Sequence, residues 1–380
     1  MKHYNYIFAG SGLSALMTVY KMILSNKFKD KTILLIDENL KKTNDRTWCF
    51  WEKPNHNWEN IVSKKWETAL FANENSSRVL DLKPYEYNMI RGFDFYNLVF
   101  DLVAKQENIT FVNDKIIEFK DDSNQVKIIC ESLNYSCDKL FNSIYNKKEV
   151  ESQTKFPVLQ QHFVGWFIKS EQEAFDPKKA TFMDFSLLQN GNTKFMYVLP
   201  TSKTEALLEP TLFSHKHLKL EEYEAEIKNY AKKLGIKNYE IIEKERGSIP
   251  MTSYKFWENN TKNILNIGTA GGWTKASTGF TFYHTNKKTD ALIAFLETDS
   301  DFTKFHKKTK FWFYDLIFLD VLDQQNELGS QIFSSLLING NPELIFKFLN
   351  EETSFIEDLQ VMLKCPKIPF IKAFFRVVFR

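Results

Sequence analysis

The chain opens on an apolar run, Tyr6-Ile7-Phe8-Ala9, followed by Gly10-Ser11-Gly12-Leu13-Ser14-Ala15 and by a plausible helix over Leu16 to Leu24. A second apolar run, Thr32-Ile33-Leu34-Leu35-Ile36, ends on Asp37. Short apolar runs bounded by turn residues predict strands buried on both faces, as in parallel sheets. The order strand, tight turn, helix, strand, carboxylate is that of a dinucleotide-binding unit, with Ala15 where a small residue lets helix and sheet approach. Gly10 and Gly12 let the backbone close on a pyrophosphate, the helix start offers free N–H groups and partial positive charge, and Asp37 accepts from a ribose hydroxyl.

Beyond this half-fold, residues 41–82 form a polar excursion carrying Trp48, Trp51, Trp58 and Trp66, and strands and helices alternate to about residue 145. Between about 155 and 246 the runs shorten (His162 to Ile168, Phe195 to Leu199, Ala206 to Glu209) and lead into a charged helix over Leu220 to Leu234. That pattern predicts an antiparallel sheet inserted in the nucleotide fold. From Ile264 the chain returns to a strand and a second glycine-rich turn, Ile267 to Phe282, and from about residue 284 it reads as helical. The predicted class is therefore α/β (α+β): a Rossmann-like domain over 1–150 and 247–290, an inserted β-rich substrate domain over 151–246, and a helical region over 291–380. Two glycine turns far apart in sequence predict a flavin held from both sides. The chain has 13 glycines, and Gly10, Gly12, Gly268, Gly271, Gly272 and Gly279 all fall in these turns, so glycine is concentrated where backbone must come close.

The 380 residues are 43% apolar and 26% charged, the balance of a folded globular chain rather than a disordered one. A net charge of +2 and the lack of any recognition motif argue against nucleic acid as a partner. Cys49, Cys130, Cys137 and Cys365 show neither disulfide nor zinc spacing, which predicts no metal and a reducing cytoplasm. His215-Lys216-His217 lacks further ligands at suitable spacing, and no nucleophile elbow for a hydrolase is visible. No uncharged apolar run reaches the roughly 18 residues a spanning helix needs. Two amphipathic segments, Phe311 to Asp320 and the basic tail Ile368 to Arg380, read either as faces that dock on a membrane surface or as core-packed helices. The 35 phenylalanines would suit a slot for a long apolar molecule, although Lys, Asn and Ile are abundant with them, as nucleotide bias also produces.

Several segments carry a resemblance: Asn44-Asp45-Arg46-Thr47-Trp48-Cys49-Phe50-Trp51, Tyr87 to Phe95, Gln161 to Trp166, Phe182-Met183-Asp184-Phe185, Tyr197 to Pro200, Leu208-Glu209-Pro210-Thr211 and Ile249 to Thr252. Together with the opening turn, and in this order over about residues 6–320, they resemble bacterial lycopene β-cyclases. The resemblance implies an aromatic-hydroxylase-type flavoprotein fold that uses reduced FAD, with NAD(P)H as reductant. It also implies closure of the ψ ends of lycopene to β rings without net redox change, at the cytoplasmic face of the inner membrane and in contact with other carotenoid-pathway enzymes. The Glu209 segment matches the family's Glu-containing motif, which makes Glu209 the candidate acid or cation stabiliser, its pKa raised by apolar surroundings. Asp184 is the second carboxylate candidate. Pro210 stands where the family commonly has another acid, which argues against any two-carboxylate relay. Arg46 falls where the family places residues near the nucleotide. In the late turn Gly268, Gly271 and Gly272 let backbone approach the flavin, and Lys275 is expected to donate to a phosphate or to the anionic flavin. Two other classes stay open: a flavin oxidoreductase of the same fold, such as a prenyl reductase or hydroxylase, and a non-catalytic carotenoid carrier, which would need neither Asp37 nor Glu209.

Overall fold

A computed structural model describes residues 1–379; Arg380, the end of the tail considered above, lies outside them. The nucleotide half-fold is a seven-stranded sheet. Its path runs Ile109–Asn113, Ile33–Asp37, Lys2–Ala9, Tyr135–Asn142, Val126–Cys130 and Ile116–Asp121, with Ile264–Asn266 beside the far half of Tyr135–Asn142. Tyr135–Asn142 forks: Cys137 faces Val126 in the antiparallel hairpin, whereas Leu140 faces Ile264 in parallel. The late chain thereby brings its glycine turn to the edge where the first one lies. Leu13–Ser25 forms the helix after Gly12 and buries Ala15, Leu16, Met17, Val19 and Met22 against the sheet and the helix Phe282–Leu296, consistent with apolar positions at helical spacing.

The inserted sheet is larger than the sequence pattern predicts. Its seven strands run Tyr239–Met251, Leu159–Ser170, Glu205–Ser214, Thr193–Pro200, Lys179–Asp184, Thr68–Ala72 and Ser77–Asp81. Residues 68–81, assigned from sequence to the nucleotide domain, are therefore strands of the substrate sheet, joined by the parallel pairing of Thr68–Ala72 with Lys179–Asp184. A pairing between strands more than a hundred residues apart leaves no local pattern to read. The strand Tyr239–Met251 also runs across the boundary expected at 246/247. Thr47–Glu52, Glu86–Arg91 and Val62–Trp66 make a separate three-stranded sheet between the two large ones.

The C-terminal region is helical as expected, including Lys310–Gln324, Pro342–Leu349, Phe355–Met362 and Lys367–Val378. Of the two amphipathic segments, Phe311 to Asp320 is core: Phe311, Leu316 and Leu319 are buried, and the Trp312 indole N–H donates to the Ser253 carbonyl at 3.0 Å. The last helix behaves otherwise. Only Ala373 of Lys367–Val378 is buried, and Arg376 anchors the helix to Asp320 at 2.6 Å. Among the described residues no helix is long and apolar enough to cross a membrane.

Candidate active site

A cavity of about 530 Å³ lies between the two large sheets, lined at one end by Gly12, Ser14, Arg46 and Gly268 and at the other by Glu209 and Glu245. At the first end Gly10 adopts φ +89°, and a Cβ there would stand 2.4 Å from Ser143 Oγ. Gly12 has nothing within 4 Å of where its Cβ would be, so the turn faces open space in front of a helix start that has no side-chain cap and no acidic residue in its first turn. Unpaired N–H groups at such a terminus favour an anion. Asp37 closes the same turn by accepting from the Ser11 N–H at 2.6 Å and the Ser11 hydroxyl at 2.9 Å. The Arg46 guanidinium lines the cavity and donates only to the adjacent Asp45 carbonyl, at 2.6 Å. Further along, Gln161 Oε1 and Thr278 Oγ1 are buried in the wall without hydrogen-bond partners. Buried polar atoms are seldom left unpaired. Together with the space before Gly12 they fit an elongated ligand with phosphate at one end and polar ring edges at the other.

The far end is built by three strands of the inserted sheet. Gly165, in the middle strand, pairs with Glu245 on one side; on the other, the ladder registers Leu208 with Trp166 and Thr211 with Phe163. Between those two pairs lie Glu209 and Pro210, and proline cannot donate to a ladder. A side chain on Gly165 would sit 3.0 Å from Glu209 Oε2 and 3.1 Å from Glu245 Cγ. Glycine here leaves the room in which the two carboxyl groups meet and hydrogen-bond. Burial, then the charge of Glu245, pushes the Glu209 carboxyl well above the usual glutamate value. Burial raises Glu245 too, opposed by the Thr47 hydroxyl, which donates to Glu245 Oε2 at 2.6 Å. The site thus holds two buried carboxyl groups in contact, both raised above the usual glutamate value and Glu209 the more strongly.

A second cavity of about 600 Å³ adjoins the first, with Tyr197, Thr278 and Phe280 lining both. Its walls are almost wholly apolar, with Phe182, Phe213 and Phe333 from the core and Ile371, Phe374 and Phe375 from the last helix. Mostly apolar chambers of a few hundred cubic ångströms with few convergent polar groups are ligand sites. Here those polar groups are the carboxyl pair beyond Tyr197.

A family profile described as "Lycopene cyclase protein" matches residues 6–374. The chain belongs to the lycopene cyclase family. Among solved structures, the fold is similar to a geranylgeranyl bacteriochlorophyll reductase-like protein from Thermoplasma acidophilum, at TM-score 0.62 and 11% identity over 99% of this chain and 100% of that one. It is similar to a flavoprotein/dehydrogenase from Cytophaga hutchinsonii, at TM-score 0.61 and 11% identity over 96% and 99%. A variant of the halogenase PltM in complex with FAD matches at TM-score 0.58 and 11% identity, over 97% of this chain and 87% of that one. No curated protein matches the sequence. The fold is that of Rossmann-like flavoproteins, as the sequence pattern predicted.

Of the residues predicted from sequence, Gly12, Arg46, Gly268 and Glu209 line the first cavity together. Gly10, Ala15, Gly271 and Gly272 shape its turns from behind: Ala15 is fully buried, and a Cβ on Gly271 would stand 2.2 Å from the Asn266 carbonyl oxygen. Two expectations are corrected. Lys275 does not reach the cavity, because its buried ammonium is held by Asp315 and Glu351, each at 2.9 Å, and joins the glycine turn to the C-terminal helices. Asp184 is likewise turned away. It accepts from Tyr230 at 2.7 Å and from the Ser186 N–H at 2.8 Å, and despite burial these bonds hold its carboxyl below the usual aspartate range. An acid held ionised by donors outside both cavities cannot be a proton source for them. Of the histidine pair, His215 meets Asp323 at 3.4 Å, whereas the exposed His217 lines the first cavity and meets Ser248 at 2.8 Å.

Glu245 was the residue that reading the sequence missed. Its signal was present: Gly165 interrupts a strand otherwise rich in large residues, and glycine inside a strand marks a close approach by another group. Which acid approaches it depends on register, and register is not local.

Proposed function

We propose that this chain closes the ψ end groups of lycopene into β rings, giving monocyclic γ-carotene and then β-carotene, by acid-initiated isomerisation. The observation that carries the reading is the juxtaposition of the buried Glu209, its carboxyl pushed well above the usual value, and its partner Glu245 with the inner end of an apolar chamber. In this reading Glu209 delivers its proton to the terminal carbon–carbon double bond. The neighbouring double bond then attacks the tertiary cation, and one carbon–carbon bond forms. Loss of a ring proton to the Glu245 carboxylate fixes the alkene, and the hydrogen bond between the two carboxyls returns that proton to Glu209. Atoms and charge balance with no electron consumed. Tyr197 and Phe280, which line both cavities, shut water away from the cation.

The glycine turn at Gly10 and Gly12, the following helix start, Asp37, Arg46, Gly268, Gln161 and Thr278 would hold FAD. When bound and reduced, the flavin supplies an anionic ring whose charge stabilises a developing cation in a dry site. NAD(P)H is the proposed source of the electrons. The exposed apolar residues of the last two helices, among them Leu363 (67% exposed), Ile368 (68%) and Phe379 (81%), stand beside the chamber-lining Ile371, Phe374 and Phe375, with Lys364, Lys367 and Lys372 around them. That face is proposed to rest on the cytoplasmic side of an anionic membrane, from which an apolar substrate enters, and where neighbouring pathway enzymes would hand it on.

Expression in lycopene-producing bacteria tests the reading, with chromatography of the pigments. Appearance of γ- or β-carotene supports it. Unchanged lycopene alongside purified yellow flavoprotein that oxidises NAD(P)H stoichiometrically would point instead to an oxidoreductase of the same fold. Floatation with phosphatidylglycerol-containing liposomes checks the membrane contact, which fails if the protein stays wholly at the bottom of the gradient.

A further inference from the structure

Glu209 and Glu245 share one hydrogen bond, and nothing in that pair alone decides which of them keeps the proton. The surroundings are unequal. The Arg91 guanidinium donates from Nη1 to Thr47 Oγ1 at 3.2 Å. Its Nη2 pairs with Glu243 at 2.5 Å and its plane lies 3.9 Å over the Phe167 ring, so the fork has one orientation. A guanidinium can only donate, and a threonine hydroxyl has one hydrogen. With Thr47 Oγ1 accepting from Arg91, its own hydrogen is free for its other neighbour, and the hydroxyl donates to Glu245 Oε2 at 2.6 Å. The guanidinium behind the hydroxyl favours Glu245 Oε2 as the acceptor. Glu209 has only a longer donor of this kind, the Thr211 hydroxyl, which donates to Glu209 Oε1 at 3.4 Å.

We propose that Arg91 and Thr47 are positioning residues that settle the proton on Glu209 by directing a hydrogen bond at Glu245. A donor aimed at a carboxylate favours its ionised form, so Glu245 stays the base and Glu209 the acid before each turnover. The consequence for catalysis rests on the cyclisation reading above, whereas the proton's location does not. The other titratable groups facing the pair are Cys49 from the strand Thr47–Glu52, Tyr197 from Thr193–Pro200 and Glu243 from the strand of Glu245 itself.

The decisive variant is Thr47→Val, which keeps the shape and removes the hydroxyl. Infrared difference spectra of the purified protein, without substrate, report a protonated buried carboxyl. In Glu209→Gln that band should vanish, because Glu245 still receives the Thr47 hydrogen and stays ionised. In Thr47→Val/Glu209→Gln it should return, carried by Glu245. No loss of band intensity between the wild type and Glu209→Gln, or no regain of it in the double variant, would overturn the proposal. With lycopene, Thr47→Val should lower kcat about tenfold at unchanged KM, the scale of one hydrogen bond to a charged group, and raise the alkaline limb of the kcat profile. Thr47→Ser should restore both. If the bands behave as described while the wild type leaves lycopene untouched, the relay stands and the cyclase reading falls. If Glu209 proves essential for β-ring formation and Thr47→Val alters neither spectrum nor pH profile, the relay falls alone.

Discussion

The molecule buries two clusters of carboxyl groups and treats them oppositely. Around Lys275, Asp315 and Glu351 share a fully buried ammonium; burial and the two acids act on Lys275 in opposition, and the acids win, raising it. Against the cost of burial, the charges of Lys275 and His284 bring Glu351 down to about 2, while Asp315 is raised by burial. One cation, one anion and a carboxyl pushed toward neutrality leave little net charge, and the cluster ties the second glycine turn to the helices that wall the chamber. Around Glu209 and Glu245 no cation hydrogen-bonds to the carboxyls directly; Arg91 acts on Glu245 through the Thr47 hydroxyl and by its charge. The first cluster cancels its charge; the second keeps a proton it can give away. Burial alone therefore does not leave a carboxyl with a proton to give. What matters is whether the compensating partner is a charge or another acid.

The largest effect that would separate the two is kinetic. Glu209→Gln should lower cyclisation by about 10³-fold or more, within the range for loss of a general acid, yet leave flavin binding and the melting temperature at neutral pH unchanged or higher. A variant that still forms rings would remove Glu209 from the mechanism. Next is stability. Lys275→Met strands the buried Asp315 and the partly buried Glu351, and urea unfolding should show a loss of about 3 kcal/mol, with activity falling only as the fold does. Gly165→Ala brings a methyl within 3.0 Å of Glu209 Oε2, so the pair must part. An overpacking cost of about 1–3 kcal/mol is expected, together with a lower kcat, and a neutral result in both assays would mean the carboxyls need not meet.

The smallest effect is in the pH dependence of stability, where the clusters should differ in sign. Glu351 lies below its ordinary value of 4.5, so its contribution is present above that value and is lost as pH falls toward about 2. Glu209 lies above its ordinary value of 4.5, so its contribution is present below that value and is lost as pH rises through its folded pKa. Denaturation midpoints across pH should show Glu351→Gln flattening the acid arm and Glu209→Gln flattening the alkaline one. The same arm flattened by both would contradict the contrast.

Local order made the nucleotide half legible, because a strand, a glycine turn, a helix and a carboxylate follow one another within forty residues and each constrains the next. Gly12 reaches the cavity for the same reason, whereas Gly268 is carried there by the pairing of Ile264–Asn266 with Tyr135–Asn142. Lys275 misled because a lysine after a glycine turn looks like a phosphate donor, and its acids lie 40 and 76 residues away. Asp184 misled in the same way, its tyrosine coming from a helix 46 residues on.

The sequence by itself determined the family, the class of fold and both glycine turns, and singled out Glu209 as a candidate, because each rests on residue types in short, ordered segments. Only the tertiary structure decided that the second carboxylate is Glu245, that Thr47 and Arg91 stand behind it, and that Phe311 to Asp320 is core while the last helix stays exposed. Those facts depend on strand register and helix docking. Both are settled by contacts between segments far apart in the chain, where side-chain shape and burial choose among pairings that the local sequence leaves equivalent.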